Sequence, residues 1–363
     1  MAEVVLSGYY GFDNLGDEAV LYAIVSALRH EVPQLKITVL SHNPKRTASL
    51  YGIKAVNRWK LSEVAGALKR ADMLISGGGS LLQDVTSPSS LLYYLGVISL
   101  ARAFKKKIFF YAQGFGPVNR PWARWLVRRV AQKVDFITLR DEESAEDLRS
   151  LGIRQPPVIV TADPVLGLDL SSVDKDTGVA VLRRTGADLD RPLVGLALRR
   201  WKSEEIYLPA VAGLADRLLE EGALPVFIPF HQPDDLDTAK QAIRLMRRPG
   251  AVLLDRPLTV EEMLSVTGFL SLMVGMRLHS LIMAAVCGRP VVGISYDPKV
   301  DRFLRLIGAP PALKVQDVSL KDLYMLVKAR METGQTPEER SMMTDLKDRA
   351  LQSAKLATRC LNK

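Results

Sequence analysis

The chain has 363 residues, 48% hydrophobic and 25% charged, an ordinary soluble globular composition long enough for two domains with cores of their own. The net charge of +9 and pI near 9.5 favour anionic partners, yet no RNA-binding aromatic signature or zinc-finger spacing supports nucleic acid. No apolar run approaches the roughly 18 residues of a spanning helix. No basic-then-apolar leader precedes the strand-like start at Glu3, and the two cysteines, Cys287 and Cys360, suit a reduced compartment, so a cytoplasmic protein is expected.

In chain order, residues 4–7, 37–40, 73–76, 108–112, 136–139 and 158–160 read as short buried strands separated by helical patterns. This βαβ alternation predicts a parallel sheet covered on both faces, filling a first domain over 1–170. Residues 171–192 are polar and turn-rich and read as a linker. A second series at 193–198, 225–229, 252–254, 269–274 and 291–295 predicts a second domain over 193–340. Residues 341–363 form a final helix expected to pack back on the first domain. The predicted fold class is therefore α/β, with two Rossmann-like domains whose parallel sheets face a cleft.

Parallel sheets place ligands outside the carboxyl ends of their strands, so residues just after each strand carry the search for a site. After the first strand comes Gly8-Tyr9-Tyr10-Gly11-Phe12-Asp13-Asn14-Leu15-Gly16-Asp17-Glu18. Its glycines depart from the G-x-G-x-x-G spacing, and its acids would oppose a pyrophosphate, which argues against a dinucleotide site. Asp17 and Glu18 suit the first turn of a helix. Asp13 is the freer carboxylate, suited either to a turn or to positioning and accepting a proton from a sugar hydroxyl.

Gly77-Gly78-Gly79-Ser80-Leu81-Leu82-Gln83-Asp84 follows the third strand. Gly78 and Gly79 let a backbone approach a ligand or simply make a tight turn, and Gln83 or Asp84 can read hydroxyls. Gln113-Gly114-Phe115-Gly116-Pro117 is a third turn of this kind. Arg140 stands at a strand end before Asp141-Glu142-Glu143, either paired with these acids or binding an anion. Arg199 and His231 occupy strand ends in the second half, although a lone loop histidine is more often merely exposed.

The sharpest segment is Gly275-Met276-Arg277-Leu278-His279, between a predicted strand and helix, with Tyr296-Asp297-Pro298-Lys299 after the next strand. Residues two apart do not share a helix face. Arg277 and His279 therefore address one ligand only if they straddle the helix start, where free N–H groups also attract anions. A bound anion there favours the protonated imidazole that a general acid needs.

The ordered set Asn14–Glu18, Gly77–Asp84, Gln113–Pro117, Arg140–Ser144, Gly275–His279 and Tyr296–Val300 resembles the bacterial polysaccharide pyruvyl transferases, close to members that anchor proteins to the cell surface. Single pieces are weak, but the ordered set covers nearly the whole chain. The resemblance implies a glycosyltransferase-B-like fold, an acceptor side in the first domain and a phosphoenolpyruvate side in the second. It implies transfer of pyruvate from phosphoenolpyruvate, as co-substrate with no further cofactor, to a sugar as a 4,6-ketal. In these members the sugar is a β-linked N-acetylmannosamine of a lipid-linked secondary cell-wall polymer precursor, which serves S-layer anchoring.

It also implies His279 and Arg277 as the essential pair; by their own positions, Arg140 and Lys299 are added as donor ligands and Asp13 is placed near the acceptor. No step demands a metal, and no metal-ligand cluster is evident. Peripheral contact with an anionic membrane through basic helices such as residues 122–130 is an expectation, beside a solvated helix face. Two rival readings remain: a nucleotide-sugar glycosyltransferase, which would use the same fold, and a non-catalytic protein binding an acidic polymer or membrane.

Overall fold

The computed structural model describes residues 2–85 and 88–362. The first unit comprises Met1–Phe12, Asp17–Leu168 and Leu346–Lys363, and the second comprises Asp13–Gly16 and Asp169–Asp345.

The elements run β1 (Glu3–Ser7), α1 (Leu15–Glu31), β2 (Lys36–Ser41), α2 (Pro44–Tyr51), β3 (Lys54–Asn57), α3 (Leu61–Arg70) and β4 (Met73–Leu82). They continue with α4 (Pro88–Ala103), β5 (Lys107–Phe115), α5 (Pro121–Ala131), β6 (Phe136–Leu139), α6 (Glu142–Ser150) and β7 (Val158–Val160). After these come α7 (Lys175–Arg184), β8 (Leu193–Ala197), α8 (Glu204–Glu220), β9 (Leu224–Phe227), α9 (Asp234–Leu245), β10 (Val252–Leu253) and α10 (Val260–Thr267). The chain closes with β11 (Leu270–Gly275), α11 (Leu278–Val286), β12 (Val291–Ser295), α12 (Pro298–Leu306), β13 (Leu313–Lys314), α13 (Leu320–Thr333) and α14 (Pro337–Asn362).

Seven parallel strands in the order β3-β2-β1-β4-β5-β6-β7 make the first sheet, and six in the order β10-β9-β8-β11-β12-β13 make the second. Each order reverses once, between β1 and β4 and between β8 and β11. Those switch points open a crevice at the carboxyl edge. The strands are buried runs such as Val4, Val5 and Leu6 in β1 and Leu272, Met273 and Val274 in β11, as two covered faces require.

Two stretches that the sequence reads as turn and linker are regular structure. The glycines after residue 76 continue β4 to Leu82 instead of ending it in a turn. Gly78 and Gly79 have φ of 58° and 76°, and the register with β5 shifts between Gly79 and Leu82. The ladder therefore bends locally without stopping. The polar stretch 171–192 holds helix α7, seated where the Gly178 amide donates to Ser265 Oγ of α10 at 2.7 Å. Only Gly178, Val181 and Leu182 are buried on α7, so its composition reads as a loop.

Helix α14 starts at Pro337, where Thr336 and Glu339 each accept from the other's backbone amide, a reciprocal cap. Glu339 is also paired with buried Arg330. Further along, α14 buries Leu346, Ala350, Ala354 and Ala357 in the first unit, with Ser353 Oγ 2.8 Å from Thr161 Oγ1.

Candidate active site

In the second unit, Arg199 follows β8, His231 follows β9, Arg277 and His279 follow β11, and Lys299 follows β12. All leave the carboxyl edge, and Arg199 and the Arg277/His279 pair flank the switch between β8 and β11. Arg277 is the N-cap residue of α11, with extended φ and ψ of −79° and 123°, and His279 is the second helical residue. The two therefore straddle the helix start, the one placement that lets both address a single ligand among the free N–H groups there.

Arg277 is held by Asp235, which is fully buried. Its Nε donates to Asp235 Oδ2 at 2.9 Å and its Nη2 to Oδ1 at 2.5 Å. The same Oδ2 accepts the backbone amides of Phe230 (3.2 Å) and His231 (3.0 Å). One carboxylate thus fixes the plane of the guanidinium and the turn carrying His231. Beside them, burial lowers the His231 pKa below its ordinary 6.5, and the positive charges of Arg277 and Arg199 push the same way against Asp235 and Asp234.

Arg199 Nη1 donates to Tyr296 Oη at 2.7 Å, and its guanidinium lies 4.8 Å from the Tyr296 ring centre. Trp201 packs on Tyr296 from the other strand end, at 4.7 Å between centres. Lys299 Nζ is 5.9 Å from the same ring and 3.3 Å from Asp297. Tyr296 is therefore the post around which Arg199 and Lys299 are arranged. Arginine and lysine together supply a planar fork and a point charge, a set suited to a ligand bearing carboxylate and phosphate.

His279 is half-buried, with Nε2 shielded from solvent. Its ring rests on Gly16 of the Asp13–Gly16 segment: a Cβ built on Gly16 would lie 2.5 Å from His279 Nδ1 and 2.9 Å from Cγ. The segment is anchored by a bridge between Asn14 and His231 and by the Leu15 amide donating to the Phe230 carbonyl at 2.9 Å. Asn14 Oδ1 accepts the Gly16 amide at 3.1 Å. Asp13, exposed with φ of 58°, heads this segment.

The remaining expected residues lie in the first unit. Arg140 is 8% exposed and lies 3.3 Å from Asp141 and 3.6 Å from Asp163. Its Nη2 donates to Ser80 Oγ at 3.2 Å, so ion pairing engages this side chain. Gly78 leaves room for helix α1, since a Cβ there would meet Val20 Cγ1 at 1.9 Å, and a Cβ on Gly79 would lie 3.5 Å from Asp17 Oδ1. Gln83 Oε1 accepts the Val85 amide, and buried Asp84 accepts those of Asn119 and Arg120. Glu18 braces the first loop by accepting from the Gly11 amide at 2.7 Å and the Tyr51 hydroxyl at 2.6 Å. Among the described residues, no group of three or more His, Cys, Asp or Glu is placed to hold a metal ion.

Two features escaped the sequence reading. Asp235 adjoins exposed Asp234 and looks equivalent to it, yet α9 buries Asp235, Thr238, Ala239 and Ala242. That helical phase was the available signal. The second is an aromatic group in the first unit. Tyr9 stacks on Phe12 at 4.1 Å, Phe12 on His42 at 4.5 Å, and Trp59 Nε1 donates to His42 Nδ1 at 2.9 Å. Buried Arg58 lies beneath, 5.0 Å from Phe12 and 5.1 Å from Trp59, while 59% of Trp59 stays exposed.

A model of the polysaccharide pyruvyl transferase family matches residues 14–298. The chain is 22% identical to the amylovoran biosynthesis protein AmsJ of Erwinia amylovora, over 85% of this chain and 86% of that protein. Similar solved structures include Staphylococcus aureus MnaA with UDP, at a TM-score of 0.69 and 14% identity, covering 98% of this chain and 95% of that one. The UDP-GlcNAc 2-epimerase of Methanocaldococcus jannaschii superposes at 0.68 with 12% identity and 99% coverage of both chains. ADP-heptose lipopolysaccharide heptosyltransferase II of Escherichia coli superposes at 0.55 with 14% identity, over 93% of this chain and 100% of that one. At such identities the likeness establishes the fold, a glycosyltransferase-B-like pair of parallel-sheet α/β units.

Proposed function

Because the chain belongs to the polysaccharide pyruvyl transferase family, we propose that it moves the pyruvyl group of phosphoenolpyruvate onto a sugar as a 4,6-ketal, with His279 as general acid. The acceptor in this reading is an N-acetylmannosamine of a lipid-linked cell-wall polymer precursor. The observation that carries it is the placement of Arg277 and His279 at the start of α11, with Arg199 and Lys299 gathered on Tyr296 at the same sheet edge.

Phosphoenolpyruvate carries a carboxylate and a phosphate on one unsaturated carbon. Arg277 and Lys299 bind these anionic groups, with Arg199 beside them. His279 delivers its proton to the methylene carbon, leaving C2 with oxocarbenium character. A sugar hydroxyl bonds to C2, its proton passing to a base for which Asp13 is the candidate. The C2–O bond to phosphate then breaks, inorganic phosphate leaves with the electron pair, and the second hydroxyl closes the ketal. The two hydroxyl protons balance the one gained by the methyl group and the one carried by phosphate. General acid catalysis of this kind contributes roughly 10²–10⁴-fold.

On the acceptor side, the exposed Trp59 face offers a flat apolar surface of the kind on which the C–H face of a pyranose packs. The deciding experiment incubates the protein with phosphoenolpyruvate and a lipid-linked N-acetylmannosaminyl disaccharide, then with UDP- and ADP-sugars in place of phosphoenolpyruvate. Phosphate release with a pyruvyl mass gain on the sugar supports the reading. Consumption of a nucleotide sugar instead would make the protein a glycosyltransferase, and neither outcome would leave a binding protein.

A further inference from the structure

Helix α5 presents two faces of opposite character. Ala123, Val127 and Ala131 are buried, and at 3.6 residues per turn they form one stripe. The opposite face carries Trp122 and Trp125, 43% and 61% exposed, with exposed Arg128 and Arg129, and exposed Lys133 follows in the turn just past the helix. Arg129 lies over the Trp125 ring at 5.4 Å, and the helix contains no acidic residue.

The helix is fastened from behind. Buried Asp84 accepts the backbone amides of Asn119 and Arg120 at its start. Arg124 donates to the carbonyls of Val118 and Ser150, and Gln132 to that of Gly152. The last turn of α6, with exposed Arg149, and the loop after it, with exposed Arg154, are thereby held alongside. Two large exposed indoles three residues apart on one helix, set among cations, form an apolar patch that the unit itself leaves uncovered.

We propose that this face of α5 docks the protein on an anionic phospholipid bilayer, with Trp122 and Trp125 in the headgroup–acyl boundary and Arg128, Arg129 and Lys133 on lipid phosphates. Indoles settle at that boundary because one edge is apolar and the N–H finds water or ester oxygens. Basic side chains beside them add attraction to acidic headgroups. A soluble polyanion would engage the arginines and gain little from two tryptophans. A second copy of the same face would set arginine against arginine. No helix among the described residues is long and apolar enough to cross a membrane, so this contact is peripheral.

The test is independent of the pyruvyl-transfer reading. The full chain is sedimented with vesicles of equimolar phosphatidylglycerol and phosphatidylcholine, or of phosphatidylcholine alone, while indole fluorescence is followed. The expected result is at least about tenfold stronger partitioning to the anionic vesicles, with a blue shift. Trp122→Ser with Trp125→Ser, and separately Arg128→Glu with Arg129→Glu, should each weaken it about tenfold or more at unchanged thermal midpoint. Equal partitioning of wild type and both double variants would overturn the proposal. So would retention on anionic vesicles after tryptophan removal alone, matched by equal binding to soluble polyglutamate, since that is charge without a bilayer. Concentration-dependent dimerisation abolished by the tryptophan variant, with no vesicle binding, would assign the face to a second copy.

Discussion

Asp235 has no reach toward solvent and acts through Arg277, which makes it a demanding test of how the second-unit site is held. In Asp235→Ala the guanidinium loses two charge-assisted bonds, and the amides of Phe230 and His231 lose their acceptor. Breaking a buried pair by removing one partner costs about 3–5 kcal/mol. Arg277 keeps 14% exposure and regains some water, so the lower end, about 3 kcal/mol, is expected. Asp235→Asn separates fold from chemistry. Its amide oxygen still accepts from the two backbone amides and from Arg277 Nε, but its NH2 opposes Arg277 Nη2. One charged bond lost to repulsion costs roughly 1.5–3 kcal/mol. Both variants free the Arg277 plane, so kcat/KM for phosphoenolpyruvate should fall about a hundredfold in each, roughly 2.7 kcal/mol of transition-state stabilisation. Urea unfolding gives the stability change and phosphate release gives the rate. A folded Asp235→Asn protein within about threefold of wild-type kcat/KM would refute the idea that Asp235 positions Arg277 for chemistry.

Four further outcomes follow from the same geometry. Gly16→Ala should raise intrinsic helix propensity by about 1 kcal/mol yet push the His279 ring aside; kcat should drop at least about tenfold, and a melt showing stabilisation with full activity would exclude the contact. His279→Asn should lower kcat by roughly 10²–10⁴ while calorimetric binding of phosphoenolpyruvate and the thermal midpoint stay near wild type. His231 has a folded pKa depressed below 6.5, so the unfolded chain binds its proton first as pH falls. Its contribution to stability is therefore full above 6.5 and is lost below it, through the window down to the depressed folded value; thermal midpoints against pH should show this slope, and His231→Asn should flatten it. Trp59→Ala should raise KM for the sugar acceptor several-fold and leave KM for phosphoenolpyruvate unchanged, because the exposed indole face is an acceptor surface in this scheme.

Most strands were legible because they are apolar runs and the intervening helices have amphipathic phase, whereas the edge strands β3 and β13, short and partly exposed, were not. Where that contrast failed, the reading failed with it. β4 passes through three glycines that look like a turn in one dimension, and only the positive φ of Gly78 and Gly79 with the shifted register explains how a strand survives them. Helix α7 shows too little apolar surface to announce itself, because it is seated through a glycine amide on Ser265 instead of a stripe of large side chains.

At the site, chain position was informative and partnership was not. Arg277, His279, Arg199, His231 and Lys299 are recoverable from the rule that chemistry gathers after parallel strands. Arg140 obeys the same rule, yet its guanidinium is taken up by Asp141, Asp163 and Ser80. Gly78 resembles a ligand cradle and in the fold is the point where β4 clears Val20. Conversely Gly16, which seems only one glycine of a loop, is the surface on which His279 rests. A residue's place on the sheet edge follows from local pattern, because strand and helix phase are local. What it touches depends on contacts with a segment tens or hundreds of residues away, such as Asn14 with His231 or Gly16 with His279. Those pairings depend on the Asp13–Gly16 segment lying against the second unit's β9 and β11 ends, which no local pattern announces.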